Sequence, residues 1–157
     1  VIKGVIINRL AKRSDSRGWL VELFRQDELS IEFHPVMSYV SSTDPGITRG
    51  PHEHRYQADY FCFFGPSTFR LFLWDNRPGS PSYGQKCHFD FGEGSMASVL
   101  VPPGVVHAYK NMGSTSGLVY NAPNKLYAGA GRTEPIDEIR HENDATSKFK
   151  IPSSNEL

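Results

Sequence analysis

No apolar run in this chain of 157 residues is as long as a membrane-spanning helix requires, and no secretory-signal pattern opens it. Val1 is not a methionine, so residues are expected upstream. Excess charge is missing as well, since 17 Lys and Arg balance 17 Asp and Glu. A chain with no basic surplus is not expected to take nucleic acid or an anionic membrane as its main partner, and that balance is compatible with a local basic pocket for one diphosphate. Cysteine is scarce. Cys62 and Cys87 fit no metal or redox spacing, and both read as reduced core thiols of a cytoplasmic protein. Helical periodicity is nearly absent. Only Glu134 to His141 (EPIDEIRH), with Ile136 and Ile139 on one face, predicts a short C-terminal helix.

Strand signals are abundant. Short apolar or alternating runs recur at Val1–Leu10, Trp19–Phe24, Val36–Ser42, Ala58–Phe64, Thr68–Trp74, Gln85–Phe91, Ser98–Val101, His107–Met112 and Leu118–Asn121. Gly- and Pro-bearing turns punctuate them, most clearly Gly65-Pro66 and the loop Asn76–Gly84. The first run is expected to be an edge or swapped strand. Even spacing without repeats predicts one all-β domain over residues 1–157, a sandwich or barrel.

The chemistry concentrates in two places. In Gly46–Gly65 (GITRGPHEHRYQADYFCFFG), His52 and His54 stand two apart, and Asp59 follows. Side chains at i and i+2 of a strand share a face, so both imidazoles would aim at one point. Far downstream, Pro102-Pro103-Gly104-Val105-Val106-His107 adds a third histidine. Three histidines and a carboxylate suit a divalent first-row metal, so His52, His54, Asp59 and His107 are a candidate metal set.

These two stretches resemble the paired signature of the cupin superfamily, G-x5-H-x-H-x3/4-E-x6-G followed by G-x5-P-x-G-x2-H-x3-N, with Asp59 in the Glu position. That resemblance implies a double-stranded β-helix, the jelly-roll barrel. A narrower one follows from the flanks. Asp15-x-Arg17-Gly18-x-Leu20-x-Glu22-x-Phe24, Arg49-Gly50-Pro51-His52, Asp75-x-Arg77-x2-Ser80-Pro81-x-Tyr83-Gly84 and Val101-Pro102-x-Gly104-x2-His107 resemble, in order, motifs of the dTDP-4-dehydrorhamnose 3,5-epimerase family.

The family resemblance implies a homodimer acting on a nucleotide-linked 4-keto sugar in surface-polysaccharide synthesis, with no cofactor required. A proton next to a ketone is acidic enough for a side-chain base, and return of a proton to the other face inverts the centre. By resemblance, His52 is the base and Tyr120 the acid; Arg17, Glu22 and Arg49 line the nucleotide-sugar site, and Tyr127 sits at its mouth. Asp59 occupies the place of the family's enolate-steadying Lys, and the L-S-x-K-D motif that carries its histidine-orienting Asp is not found in these residues. Arg49-Gly50-Pro51-His52-Glu53-His54-Arg55 is also similar to the R-G-x-H-A-H-K of sugar-nucleotide 3,4-ketoisomerases. A metal-dependent cupin enzyme of another reaction class and a non-catalytic sugar-nucleotide-binding cupin are the alternatives.

Overall fold

The computed structural model describes residues 2–152. Twelve strands follow one another: β1 (Ile6–Arg9), β2 (Lys12–Asp15), β3 (Gly18–Val21), β4 (Tyr39–Thr43), β5 (Thr48–Glu53), β6 (Asp59–Gly65), β7 (Thr68–Asp75), β8 (Lys86–Gly92), β9 (Ala97–Val101), β10 (Val105–Asn111), β11 (Gly117–Asn121) and β12 (Ile139–Arg140). They build two five-stranded sheets, ordered β1-β9-β6-β11-β4 and β12-β5-β10-β7-β8, with β2-β3 as a separate hairpin. Neighbouring strands run antiparallel throughout. This is the expected all-β jelly roll. β1 lies at a sheet edge, as the sequence predicts.

Alternation explains which side chains meet. Phe61 and Phe63 of β6 face Phe69, Leu71 and Leu73 of β7, with Val99, Val105 and Val119 filling the space between the sheets. Burial of each such side chain stabilises the fold by about 1.5–3 kcal/mol. The opposite face of β6 is covered too. Tyr60 and Cys62 pack with Phe33 and Ala122, which is why Ala58–Phe64 reads as an unbroken apolar run rather than an alternating one. Arg70, the one charge inside β7, stands opposite Asp90 of β8 and makes two hydrogen bonds to it at 2.7 Å.

The Asn76–Gly84 loop is gathered by one carboxylate. Asp75 accepts from Arg77 Nε at 2.8 Å and from the hydroxyls of Ser80 and Ser82, each at 2.6 Å. Burial disfavours its charge, but these donors outweigh that and hold Asp75 well below the usual carboxylate range.

The expected C-terminal helix is not formed. Residues 139–140 pair as β12 with β5, and His141–Asn143 make a single 3-10 turn. The reason is tertiary. The Asp137 carboxylate is taken by three backbone N–H groups of the 55–57 turn, which draws the chain out along β5.

Candidate functional site

β5 and β10 lie side by side, with His52 opposite His107. Their backbones approach closely at Gly50, where φ is +85° and an added Cβ would stand 2.6 Å from the His107 carbonyl oxygen. Only glycine fits there. A register shift between His107 and Tyr109 turns β10 locally and helps bring the imidazoles together. Ring centroids of His52 and His107 are 4.5 Å apart, and His54 lies 5.9 Å from each. The expectation that both histidines of the His-x-His pair aim at one place holds.

Asp59 opens β6 beneath them, with 2% of its surface exposed. Its Oδ2 is 3.1 Å from His54 Nε2 and 3.3 Å from His107 Nε2. Its Oδ1 accepts from Gln57 Nε2 at 2.9 Å and from Asn121 Nδ2 at 2.8 Å. Burial opposes the charge of Asp59, yet His107 and His54 keep it ionised, well below the usual carboxylate range. The Nδ1–H of His54 donates to the Asp137 carbonyl, and that of His107 donates to the Val105 carbonyl at 3.1 Å. Burial alone would depress His54; the adjacent Asp59 and Asp137 win and push it up to about 9. His52 goes the other way. Burial, reinforced by the neighbouring His107 and His54, pushes it down to about 2, so its ring is neutral with a lone pair to offer.

A cavity of about 1300 Å³ opens over these groups, lined by Tyr39, Ser41, Arg49, His52, His54, Phe61 and Tyr109 on the barrel side. Most of residues 123–142, including Tyr127, Arg132 and Arg140, wall it on the other. It is large enough for a nucleotide sugar and far larger than a free monosaccharide needs. Arg49 is fixed at the wall by Thr43 Oγ1 at 2.9 Å and the Ser42 carbonyl at 2.7 Å. Tyr127 stands at the rim beneath the Arg132 guanidinium, 5.9 Å from its ring centre.

Two parts of the sequence expectation are not brought to this cavity. Tyr120 does not face the cavity. It pairs with Cys62 across β11 and β6 and packs in the cluster on the far side of the sheet. The residue beside it, Asn121, is the one that turns inward. Arg17 and Glu22 also lie outside the cavity of their own chain. Arg17 is at the tip of the β2-β3 hairpin, with its side chain 88% exposed and paired to Asp15. Glu22 follows β3 and lies 3.9 Å from Arg25.

Tyr39 was not singled out by sequence, yet it belongs to the site. It stands opposite Asn121 in the sheet and so shares its inward face. Asn121 Nδ2, besides binding Asp59, donates to Tyr39 Oη at 3.0 Å. The phenol therefore accepts from the protein and keeps its own proton to give. Burial pushes Tyr39 up to about 12 despite the Asn121 hydrogen bond, so it is protonated at neutral pH.

The family profile for dTDP-4-dehydrorhamnose 3,5-epimerase matches residues 1–138. The chain belongs to this family. It is 37% identical over 128 residues to the probable low-salt glycan biosynthesis epimerase Agl13 of Haloferax volcanii, covering 80% of this chain and 81% of that one. It is 35% identical over 115 residues to the spore coat polysaccharide biosynthesis protein SpsL of Bacillus subtilis, covering 73% and 75%. The fold matches the crystal structure of a dTDP sugar isomerase from Desulfovibrio desulfuricans with a TM-score of 0.79 at 20% identity, over 92% of this chain and 87% of that one. Membership makes the chain an enzyme of the sugar-nucleotide epimerase class.

Three of the four candidate metal residues, the histidines, come together. Among the described residues, one ligand atom each from His52, His54 and His107 falls within a mutual 4.8 Å. Buried His107 Nε2 makes no hydrogen bond, although Asp59 is beside it. Both Nδ1 atoms are anchored on carbonyls, as outer partners of metal-bound histidines are.

Proposed function

We propose that the chain inverts a carbon next to the ketone of a dTDP-linked 4-keto sugar destined for polysaccharide synthesis, with His52 as the base. The observation that carries this reading is a neutral imidazole, His52, on the wall of a nucleotide-sugar-sized cavity. In the proposed step the C–H electron pair becomes the enolate and the proton passes to His52. Imidazolium His54 below, paired to Asp59, offsets the negative charge that develops. Tyr39 returns a proton in the role expected of Tyr120. Arg49 holds the diphosphate, because a planar guanidinium matches phosphate oxygens.

Arg17 and Glu22 keep a binding role only across a dimer. The β2-β3 hairpin joins neither sheet and exposes Trp19 and Leu20 at 46% and 58%, a surface suited to a second copy of the chain. In this reading the protein is a cytoplasmic homodimer, its two thiols reduced. Among the described residues no helix is long and apolar enough to cross a membrane.

The test is deuterium wash-in from heavy water into a dTDP-4-keto-6-deoxy sugar. Label is expected at a carbon flanking the ketone with wild type and not with His52→Asn. A wild-type protein that binds the nucleotide sugar and washes in no label sinks the proposal.

A second reading rests on the orphaned His107 Nε2. His52, His54, His107 and Asp59 would hold a divalent cation, which when bound supplies Lewis-acid stabilisation of the enolate oxygen. Elemental analysis of protein purified without an affinity tag decides it.

A further inference from the structure

Between Asn124 and Asp137 the chain leaves the barrel and returns to the place it left. Asn124 Oδ1 accepts from the Ala58 N–H at 2.8 Å, and the Asn124 N–H donates to the Ala58 carbonyl at 3.2 Å. The Asp137 carboxylate takes the N–H groups of Arg55, Tyr56 and Gln57 at 2.8, 2.8 and 2.9 Å. Both feet of the loop therefore stand on one turn, residues 55–58. Beyond Asp137 the chain stays on the barrel, with Glu138 Oε1 3.9 Å from His52 Nδ1 and β12 paired to β5. A loop whose ends meet can swing about them without disturbing the sheets.

What lies between the feet is lightly held. None of residues 125–136 is buried. Among the described residues, one hydrogen bond ties this stretch to the rest of the chain, from the Tyr127 N–H to Met37 Sδ, a weak acceptor, at 3.2 Å. Inside, by contrast, the loop is stapled to itself. The N–H groups of Gly129, Arg132 and Glu134 donate to the carbonyls of Leu126, Gly129 and Ala128 at 2.9, 3.2 and 2.8 Å. Thr133 Oγ1 donates to the Ala130 carbonyl at 3.1 Å. These bonds hold Ala128 and Arg132 at φ of +55° and +60°, left-handed conformations that side chains seldom adopt. The stretch also carries a cation. Arg132 lines the cavity together with Arg49. Its guanidinium rests over the Tyr127 ring at 5.9 Å, near the outer limit of a cation–π contact.

We propose that residues 125–136 are a flap that turns as one body about Asn124 and Asp137 and closes over a bound nucleotide sugar, laying the Arg132 guanidinium on its diphosphate opposite Arg49. A diphosphate offers that guanidinium charge-assisted bonds which the Tyr127 ring cannot match, and this difference in contacts favours the closed form. Closure also shuts water out while the enolate exists. For its ligand the proposal rests on the epimerase reading; the motion is read without turnover.

Amide hydrogen exchange of the whole chain, followed by mass spectrometry with and without dTDP, tests it. In free protein the peptide spanning 125–136 should exchange fast while β5 and β10 stay protected. Saturating dTDP should slow that peptide by about tenfold or more. Arg132→Ala should bind dTDP about tenfold more weakly and, when saturated, should leave the peptide as fast as in free protein. Arg132→Lys should recover part of both effects. A peptide as slow as the strands in free protein overturns the flap. So does equal slowing in saturated Arg132→Ala, the mark of a fixed wall that the nucleotide merely covers. Calorimetry on the same samples separates the two readings. dTDP bound to wild type without slowing defeats the flap and leaves the epimerase reading standing, whereas no dTDP bound defeats the nucleotide-sugar reading and the flap with it.

Discussion

Asp59 Oδ2 stands 3.1 Å from His54 Nε2, an ion pair sealed beneath the cavity floor where the family pattern has a lysine. A carboxylate there would repel an enolate if it stood alone. Paired with an imidazolium or a metal, the position is neutral or cationic as a unit. Asp59→Asn removes the partner of His54 and one candidate ligand at once. Turnover is expected to fall by about tenfold or more, with any bound metal lost in the same preparation. Full metal occupancy in the variant would exclude Asp59 from a metal site, and full activity would exclude it from catalysis.

The His54 ion pair also sets a pH dependence. In metal-free protein its folded pKa is about 9 against an ordinary 6.5. A raised pKa stabilises the fold fully below the unfolded value, and that contribution is lost as pH rises through the folded one. Urea midpoints should therefore fall between about pH 6.5 and 9, and the fall should shrink in His54→Gln. A metal on His54 would keep the ring neutral at both ends and abolish the trend, so comparing metal-stripped and metal-loaded samples separates the two readings.

Tyr39→Phe deletes the donor and keeps the ring. Removal of the substrate proton should continue, so deuterium wash-in persists, while formation of the inverted sugar drops by about 100-fold, the scale of a lost general acid. Tyr120→Phe, on the far face of the sheet, should leave both rates near wild type. The opposite pattern would return the acid role to Tyr120.

Gly50→Ala places a methyl carbon 2.6 Å from the His107 carbonyl oxygen at a φ of +85°. β5 and β10 must part, and the imidazoles with them. Loss of several degrees in Tm and of most turnover is expected. A variant with unchanged Tm and kcat would show that this close approach does not shape the site.

Phe63 is fully buried between Phe69, Phe91 and Tyr109. Phe63→Ala should cost about 3–5 kcal/mol in chemical denaturation, without changing the substrate carbon that is labelled.

What the sequence could reveal depended on range. Strands were legible from local alternation, and the His52–His54 pair from the two-residue period of a strand. The loop motif Asp75-x-Arg77-x2-Ser80 was legible as a family pattern, and its cause is local, one carboxylate collecting three donors. Tyr120 was read as the acid by family resemblance, which does not report a register shift. β11 slips against β6 between Leu118 and Val119, and a slip of one residue exchanges the faces of a strand. Asp137 and Glu138 escaped notice because they lie against residues 80 or more positions earlier in the chain. Their local pattern, two isoleucines three apart, mimics a helix. Tyr39 gave no signal, since only sheet pairing with Asn121 turns it inward.

β12 is only two residues long, yet it occupies the last place in its sheet, outside β5. Without it, the strand that carries His52 would be outermost, presenting free peptide donors and acceptors to any extended chain nearby. The same residues that steady the histidines thus also close the sheet against self-association. Variants that loosen this segment are expected to become sticky as well as slow, and the amount of soluble protein after heating should follow activity down the series.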